Sequence, residues 1–198
     1  MTKHFTTEQE AREIMGTNFI SRREVANILP AYSLDLAPKQ IPFSTEDLHR
    51  NAHRLLVPGI EMPFYHLLYA CGKQDLFCPC MKDREQVEVV EGLMISGDWL
   101  LIGSEAKDGT EYKVPAELTL NSGYEVIRAV DLAYVLLVFH LVQKRKLFPH
   151  YVRGVVEGDR TSWIGWDYSE GVIYVNPHAK EPDTATARLF DLLLRRTE

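Results

Sequence analysis

The sequence predicts an α+β fold: short N-terminal helices, a mostly antiparallel sheet, one buried central helix, and a C-terminal β meander followed by a helix. Three observations carry this. The stretch from Ala129 to Val142 is apolar except for Asp131 and His140, so it reads as a helix covered on several sides rather than one with a single apolar stripe. Short strand-like runs separated by turn residues crowd the last third of the chain. Strands do not alternate regularly with helices along the sequence, which argues against a doubly wound parallel sheet and for an α+β arrangement.

The elements follow in order. Thr7 and Glu10 have capping-box spacing and open a helix over residues 8–15, with Gly16 placed to end it. Ser21 and Glu24 repeat the signal for a helix over 22–29, which Pro30 stops. Residues 30–43 contain three prolines and read as a loop. Ser44 and Asp47 open a third helix, running to about Arg54. Residues 55–57 read as a strand entering a Pro58-Gly59 turn, and 64–71 as a second strand ended by Gly72. Further strands are expected at 87–90 and 99–103, with a loop and an Asp-Gly turn between 104 and 110.

The central segment, Glu125–Phe148, has Ser122 as its capping residue, Lys144, Arg145 and Lys146 at the negative end of the helix dipole, and Pro149 as its stop. About fourteen apolar residues fall short of the roughly 18 or more that a bilayer span requires. The meander is expected at 151–157, 161–167 and 172–176, followed by an amphipathic helix with Ala187, Leu189, Phe190, Leu193 and Leu194 on one side.

At 198 residues the chain reads as a single α+β domain over 1–198, with residues 1–43 a helical extension packed on it. Its net charge of −6 argues against general nucleic-acid binding, which requires clustered Lys and Arg. The odd set of cysteines, Cys71, Cys78 and Cys80, and a polar N-terminus point to free thiols in a reducing, cytoplasmic setting. Neither a membrane segment nor a cofactor motif is expected: the sequence has no phosphate-binding glycine loop, dinucleotide fingerprint, nucleophile elbow or HExxH.

Several short segments, in order along the chain, resemble a set of uncharacterised bacterial proteins. They are Ala11–Gly16 with Asn18-Phe19, Ile41–Ser44, Trp99–Ile102, Leu147-Phe148 with Tyr151-Val152-Arg153, and Ala187–Phe190. The resemblance brings no activity and no catalytic residues. The C-terminal part of that family is in turn similar to C-type-lectin-like binding proteins. The lectin calcium motif Glu-Pro-Asn is absent here, with Glu181-Pro182-Asp183 the nearest sequence.

The candidate sites are few. Trp166, Tyr168, Asp167, Glu170 and Tyr174 gather in the terminal hairpin, where aromatics offer rigid contact area and acids offer hydrogen-bonding rims for a sugar ring or a protein. Trp163 falls opposite to Trp166 on a strand, so one tryptophan is expected in the core. Cys78 and Cys80 with His49 and His53 (spaced i, i+4 on the third helix) have zinc-type donors, but surface histidines and reduced thiols explain them as well. Asp131 and His140 stand nine residues apart, on opposite sides of a helix, so they form no direct acid–base pair. The sequence therefore favours a non-catalytic protein that binds a carbohydrate or protein through the C-terminal meander. The alternatives are a hydrolase-like enzyme using His66, His140, His150 or His178 with nearby carboxylates, and a homo-oligomer subunit assembled through the C-terminal helix.

Overall fold

The computed structural model describes residues 5–67, 93–103 and 127–147 in full, and the strands at 152–157, 160–167 and 172–176 by their backbone. Three reciprocal capping boxes start the N-terminal helices. Thr7 and Glu10 open α1 (Glu8–Met15), Ser21 and Glu24 open α2 (Arg22–Ile28), and Ser44 and Asp47 open α3 (Thr45–Arg50). In each, the hydroxyl accepts from the third helical N–H while the carboxylate accepts from the capping N–H. Gly16 ends α1 with a φ of 56°, where a side chain would be strained.

The third helix stops at Arg50, earlier than the sequence suggests. Asn51 ends it twice over: its N–H and its side-chain amide both bond the carbonyl of Asp47.

The centre of the fold is a two-stranded antiparallel ribbon, β1 (Leu55–Pro58) with β2 (Trp99–Ile102), in the register Leu55↔Ile102, Leu56↔Leu101, Val57↔Leu100 and Pro58↔Trp99. Every residue of both strands is buried. Alternation explains why. Leu55, Val57, Leu100 and Ile102 join one apolar cluster with α2 and the central helix, while Leu56, Trp99 and Leu101 join a second with Met15, Phe19, Ile41 and Leu48. A strand covered on both faces reads as a continuous apolar run, as Leu55-Leu56-Val57 does.

Gly59 does not turn the chain but extends the ribbon, its N–H donating to the carbonyl of Asp98 at 2.9 Å. Polar links tie the ribbon to its surroundings. Trp99 Nε1 donates to the Pro38 carbonyl at 2.7 Å, and the Trp99 ring stacks on Phe19. Arg12 lies over Phe19 and pairs with Glu24, joining α1 to α2.

Residues 64–67, expected as strand, are helical. Phe64 and Leu67 are buried while Tyr65 is 45% exposed, the three-residue spacing of a helix; strand alternation would have set Tyr65 with Leu67.

The central helix α4 (Ala129–Gln143) is buried at every position from Ala129 to Phe139. It starts after Arg128, later than the Ser122 cap implied, and it ends before the basic run. Lys144 adopts a left-handed conformation (φ 56°, ψ 27°) and returns its N–H to the carbonyl of His140 at 2.8 Å. Lys144, Arg145 and Lys146 thus follow the helix instead of filling its last turn.

No polar stripe is left on α4 because it has neighbours on several sides: the ribbon, α2, and the three-stranded antiparallel meander β3 (Val152–Glu157), β4 (Arg160–Asp167) and β5 (Val172–Asn176). Among the described residues no helix is long and apolar enough to cross a membrane. Ser122, the strand expected at 87–90, the loop at 104–110, Pro149 and the terminal helix lie outside the described residues.

Candidate functional site

The meander is built from an up-down-up run in the order β3-β4-β5, with β4 central. β4 pairs with β5 in the register Trp163↔Asn176, Ile164↔Val175, Gly165↔Tyr174, Trp166↔Ile173 and Asp167↔Val172. On the other side β3 aligns Val152↔Ile164 and Arg153↔Trp163, with an irregularity between Val155 and Glu157. Directly opposed residues share a sheet face, and successive residues alternate between faces.

One face therefore carries Arg153, Trp163, Gly165, Asp167, Val172, Tyr174 and Asn176. The other carries Val152, Gly154, Arg160, Ser162, Ile164, Trp166, Ile173 and Val175. The first is mixed aromatic and polar; the second is apolar apart from Arg160 and Ser162 at one end. Asp167 and Tyr174, both singled out from the sequence, fall together on the mixed face. Trp166 falls on the opposite one, and Trp163 shares the mixed face. Tyr168 and Glu170, in the β4–β5 connection, lie outside the described residues. The signal that separates the two tryptophans was already in the sequence as strand alternation; what the sequence lacked was the register that ties Tyr174 to Gly165.

The thiol–imidazole set is not assembled within the described part of the chain. His49 lies on α3, but His53 lies past its end, so the two do not share a helical face. Cys78 and Cys80 lie outside the described residues, and among those described no group of three His, Cys, Asp or Glu side chains could hold a metal ion.

Asp131 and Tyr134 do structural work at the start of α4. Asp131 is 1% exposed. Its carboxylate accepts from Ser96 N–H at 2.7 Å, Arg128 Nε at 2.6 Å and the Arg128 terminal amine at 2.8 Å. The bonds pin the segment preceding β2 to the first turn of the helix. Burial pushes the Asp131 carboxyl above its ordinary range, against the pull of the Arg128 guanidinium and the Ser96 N–H. One turn on, the Tyr134 hydroxyl donates to the Pro58 carbonyl at 2.6 Å. Burial, with the Asp131 charge adding, pushes that phenol far up, so it stays a neutral donor. The sequence marked Asp131 as suited to the helix dipole but not the Arg128 partner, although the i, i+3 spacing of the two is a readable signal.

His140 is partly exposed at the other end of α4. His66 sits between aromatic rings, 4.1 Å from the Tyr65 centroid and 5.6 Å from that of Tyr32. His150 and His178 lie outside the described residues.

No protein-family profile matches the chain, and neither a curated protein nor a solved structure matches it.

Proposed function

We propose that the protein is a non-catalytic binding protein that meets its ligand through the mixed face and loops of the C-terminal meander. The observation that carries this reading is the register, which gathers Arg153, Trp163, Asp167, Tyr174 and Asn176 around Gly165 on one face of β3-β4-β5. The face thus combines the residue types that stack on a ring with an acid, an amide and a guanidinium able to supply directional hydrogen bonds. α4 lies against all three strands, so a rigid support stands behind the sheet. The apolar face is the one suited to cover by α4, and the mixed face is the one suited to a ligand. A carbohydrate ring or a protein surface would meet the same groups; the small span of three strands favours the ring, since a stable protein interface takes roughly 800 Å² from each partner.

An array of immobilised oligosaccharides, probed with the labelled full chain, tests the reading. A saturable oligosaccharide ligand is expected. Trp163→Ala and Tyr174→Ala should each weaken it by at least roughly tenfold with the fold retained by circular dichroism, as removal of a central aromatic contact does. Trp166→Ala should leave the affinity of the folded protein unchanged. Loss of binding through Trp166 alone would reverse the assignment of the faces, and an array without any saturable ligand would remove the carbohydrate reading.

A further inference from the structure

A cleft of about 160 Å³ opens at the C-terminal end of α4, lined by Asn18, Leu55, Phe139, Arg145, Lys146 and Leu147. That is room for about five water molecules. Its floor is core: Leu55 is 1% exposed and Phe139 2%. Its walls are tied independently of any occupant. Asn18 Nδ2 donates to the Ala52 carbonyl at 2.9 Å, and Gln143 Nε2 donates to the Thr17 carbonyl at 3.4 Å.

The basic rim has a simple explanation that the geometry does not support. Cations after a helix usually neutralise its last carbonyls. Here Lys144 closes the helix with its own N–H, and the Arg145 guanidinium lies over the Phe139 ring, 5.1 Å from its centroid. Arg145 makes no ion pair or hydrogen bond among the described residues, in a chain with a net charge of −6. An arginine stacked on a ring keeps its planar fork oriented while its N–H donors remain available. That fork suits two oxygens of one carboxylate.

We propose that this cleft binds a small organic carboxylate, its charge on Arg145 and its short tail at the mouth of the cleft against Leu147. The volume matches a group of a handful of heavy atoms, the size of a carboxylate with a short tail. The inference is independent of the sheet face: it concerns a different site and a different ligand class.

Titration of the isotopically labelled full chain with isovalerate, followed by amide chemical shifts at low ionic strength, tests it. Saturable shifts should centre on Asn18, Arg145 and Leu147. Acetate, which has the charge without the tail, should bind more weakly, and isoamyl alcohol, which has the tail without the charge, should not saturate. Arg145→Gln should weaken isovalerate by roughly tenfold, the loss expected for a charge-assisted hydrogen-bond pair. Arg145→Lys should fall between, keeping the charge but not the fork. Arg145 is exposed, so both variants should unfold at the wild-type denaturant midpoint. Absence of saturable shifts in the wild type, an unchanged affinity in Arg145→Gln, or equal binding of acetate, inorganic phosphate and isovalerate would each overturn the proposal. Trp163→Ala and Tyr174→Ala should leave isovalerate binding intact, so either proposal can fail alone.

Discussion

Two glycines separate a required absence of a side chain from an incidental one. A Cβ on Gly59 would stand 2.1 Å from the Ser96 carbonyl oxygen and 2.3 Å from that of Asp98, both backbone atoms of the facing segment. Neither can yield without parting the chains and breaking the Gly59–Asp98 hydrogen bond. A Cβ on Gly97 would meet the Glu61 Cβ at 3.1 Å and its Cα at 3.7 Å, a tighter contact than usual that a shift of a few tenths of an ångström relieves. Gly59→Ala should therefore cost about 2–3 kcal/mol, the range of backbone-shifting overpacking. Gly97→Ala should cost less, about 0.5–1 kcal/mol, since only a small shift is needed. Urea titration checks this: the Gly59 variant's midpoint should drop at constant slope, and equal midpoints for both variants would contradict the close approach. The sequence placed Gly59 correctly next to Pro58 but assigned it a turn. A turn glycine and a close-packing glycine look alike in a one-dimensional string, because the atoms that crowd the second come from residues more than thirty positions away.

At the scale of elements, two carboxylates hold helices in place with opposite pH signatures. Asp131 is titrated upward by burial. Its folded form thus holds a proton more readily than the unfolded chain, and its contribution to stability is greatest below the unfolded value of 3.8 and declines as pH rises through the folded value. Glu24 behaves in reverse. Burial opposes its ionisation, but the Ser21 N–H and hydroxyl and the Arg12 guanidinium outweigh it, and its carboxyl lies below the ordinary value of 4.5. Its contribution is present above 4.5 and is lost as pH falls through the folded value. The stability difference between wild type and Asp131→Asn should therefore shrink as pH is raised from about 4 toward neutrality. The difference between wild type and Glu24→Gln, about 0.5–1 kcal/mol at neutral pH from the lost charge at the helix start and the lost Arg12 ion pair, should shrink as pH is lowered below 4.5. Chemical denaturation across that range reads both, and parallel curves for the two variants would refute the opposed signs. The three N-terminal capping boxes were legible because the signal is local: two side chains and two N–H groups within four residues. The start of α4 was not. Ser122 and Glu125 have the right spacing, yet the helix begins at Ala129, where Asp131 meets a partner thirty-five residues earlier.

For the whole molecule, the ribbon β1–β2 divides two apolar clusters, and the layers are joined through one rung. Pro58 opposes Trp99 in the register. From the α4 side, Tyr134 donates to the Pro58 carbonyl; from the α1 and α3 side, Trp99 reaches the Pro38 carbonyl. The α+β class was legible because it depends only on which segments are apolar and in what order. The ribbon's two-sided burial was half legible, as a run of four apolar residues too short to tell strand from helix. The candidate face was legible in composition but not in arrangement, since alternation gives two sets of residues and only the cross-strand register shows which aromatics share a surface. That the layers act as one unit leads to a test at this scale. Tyr134→Phe leaves the Pro58 carbonyl without its donor and should cost about 1–2 kcal/mol, and Trp99→Phe, which removes the bond to Pro38, should cost a similar amount. Both losses loosen the same rung. Once one pin is gone the second holds a less ordered strand end, so the double variant should be destabilised by at least about 0.5 kcal/mol less than the two single losses added together. Equilibrium unfolding followed by far-ultraviolet circular dichroism and by fluorescence measures the cycle. Strict additivity would mean that the two layers grip the ribbon independently, and non-coincident transitions by the two probes would mean that they unfold apart.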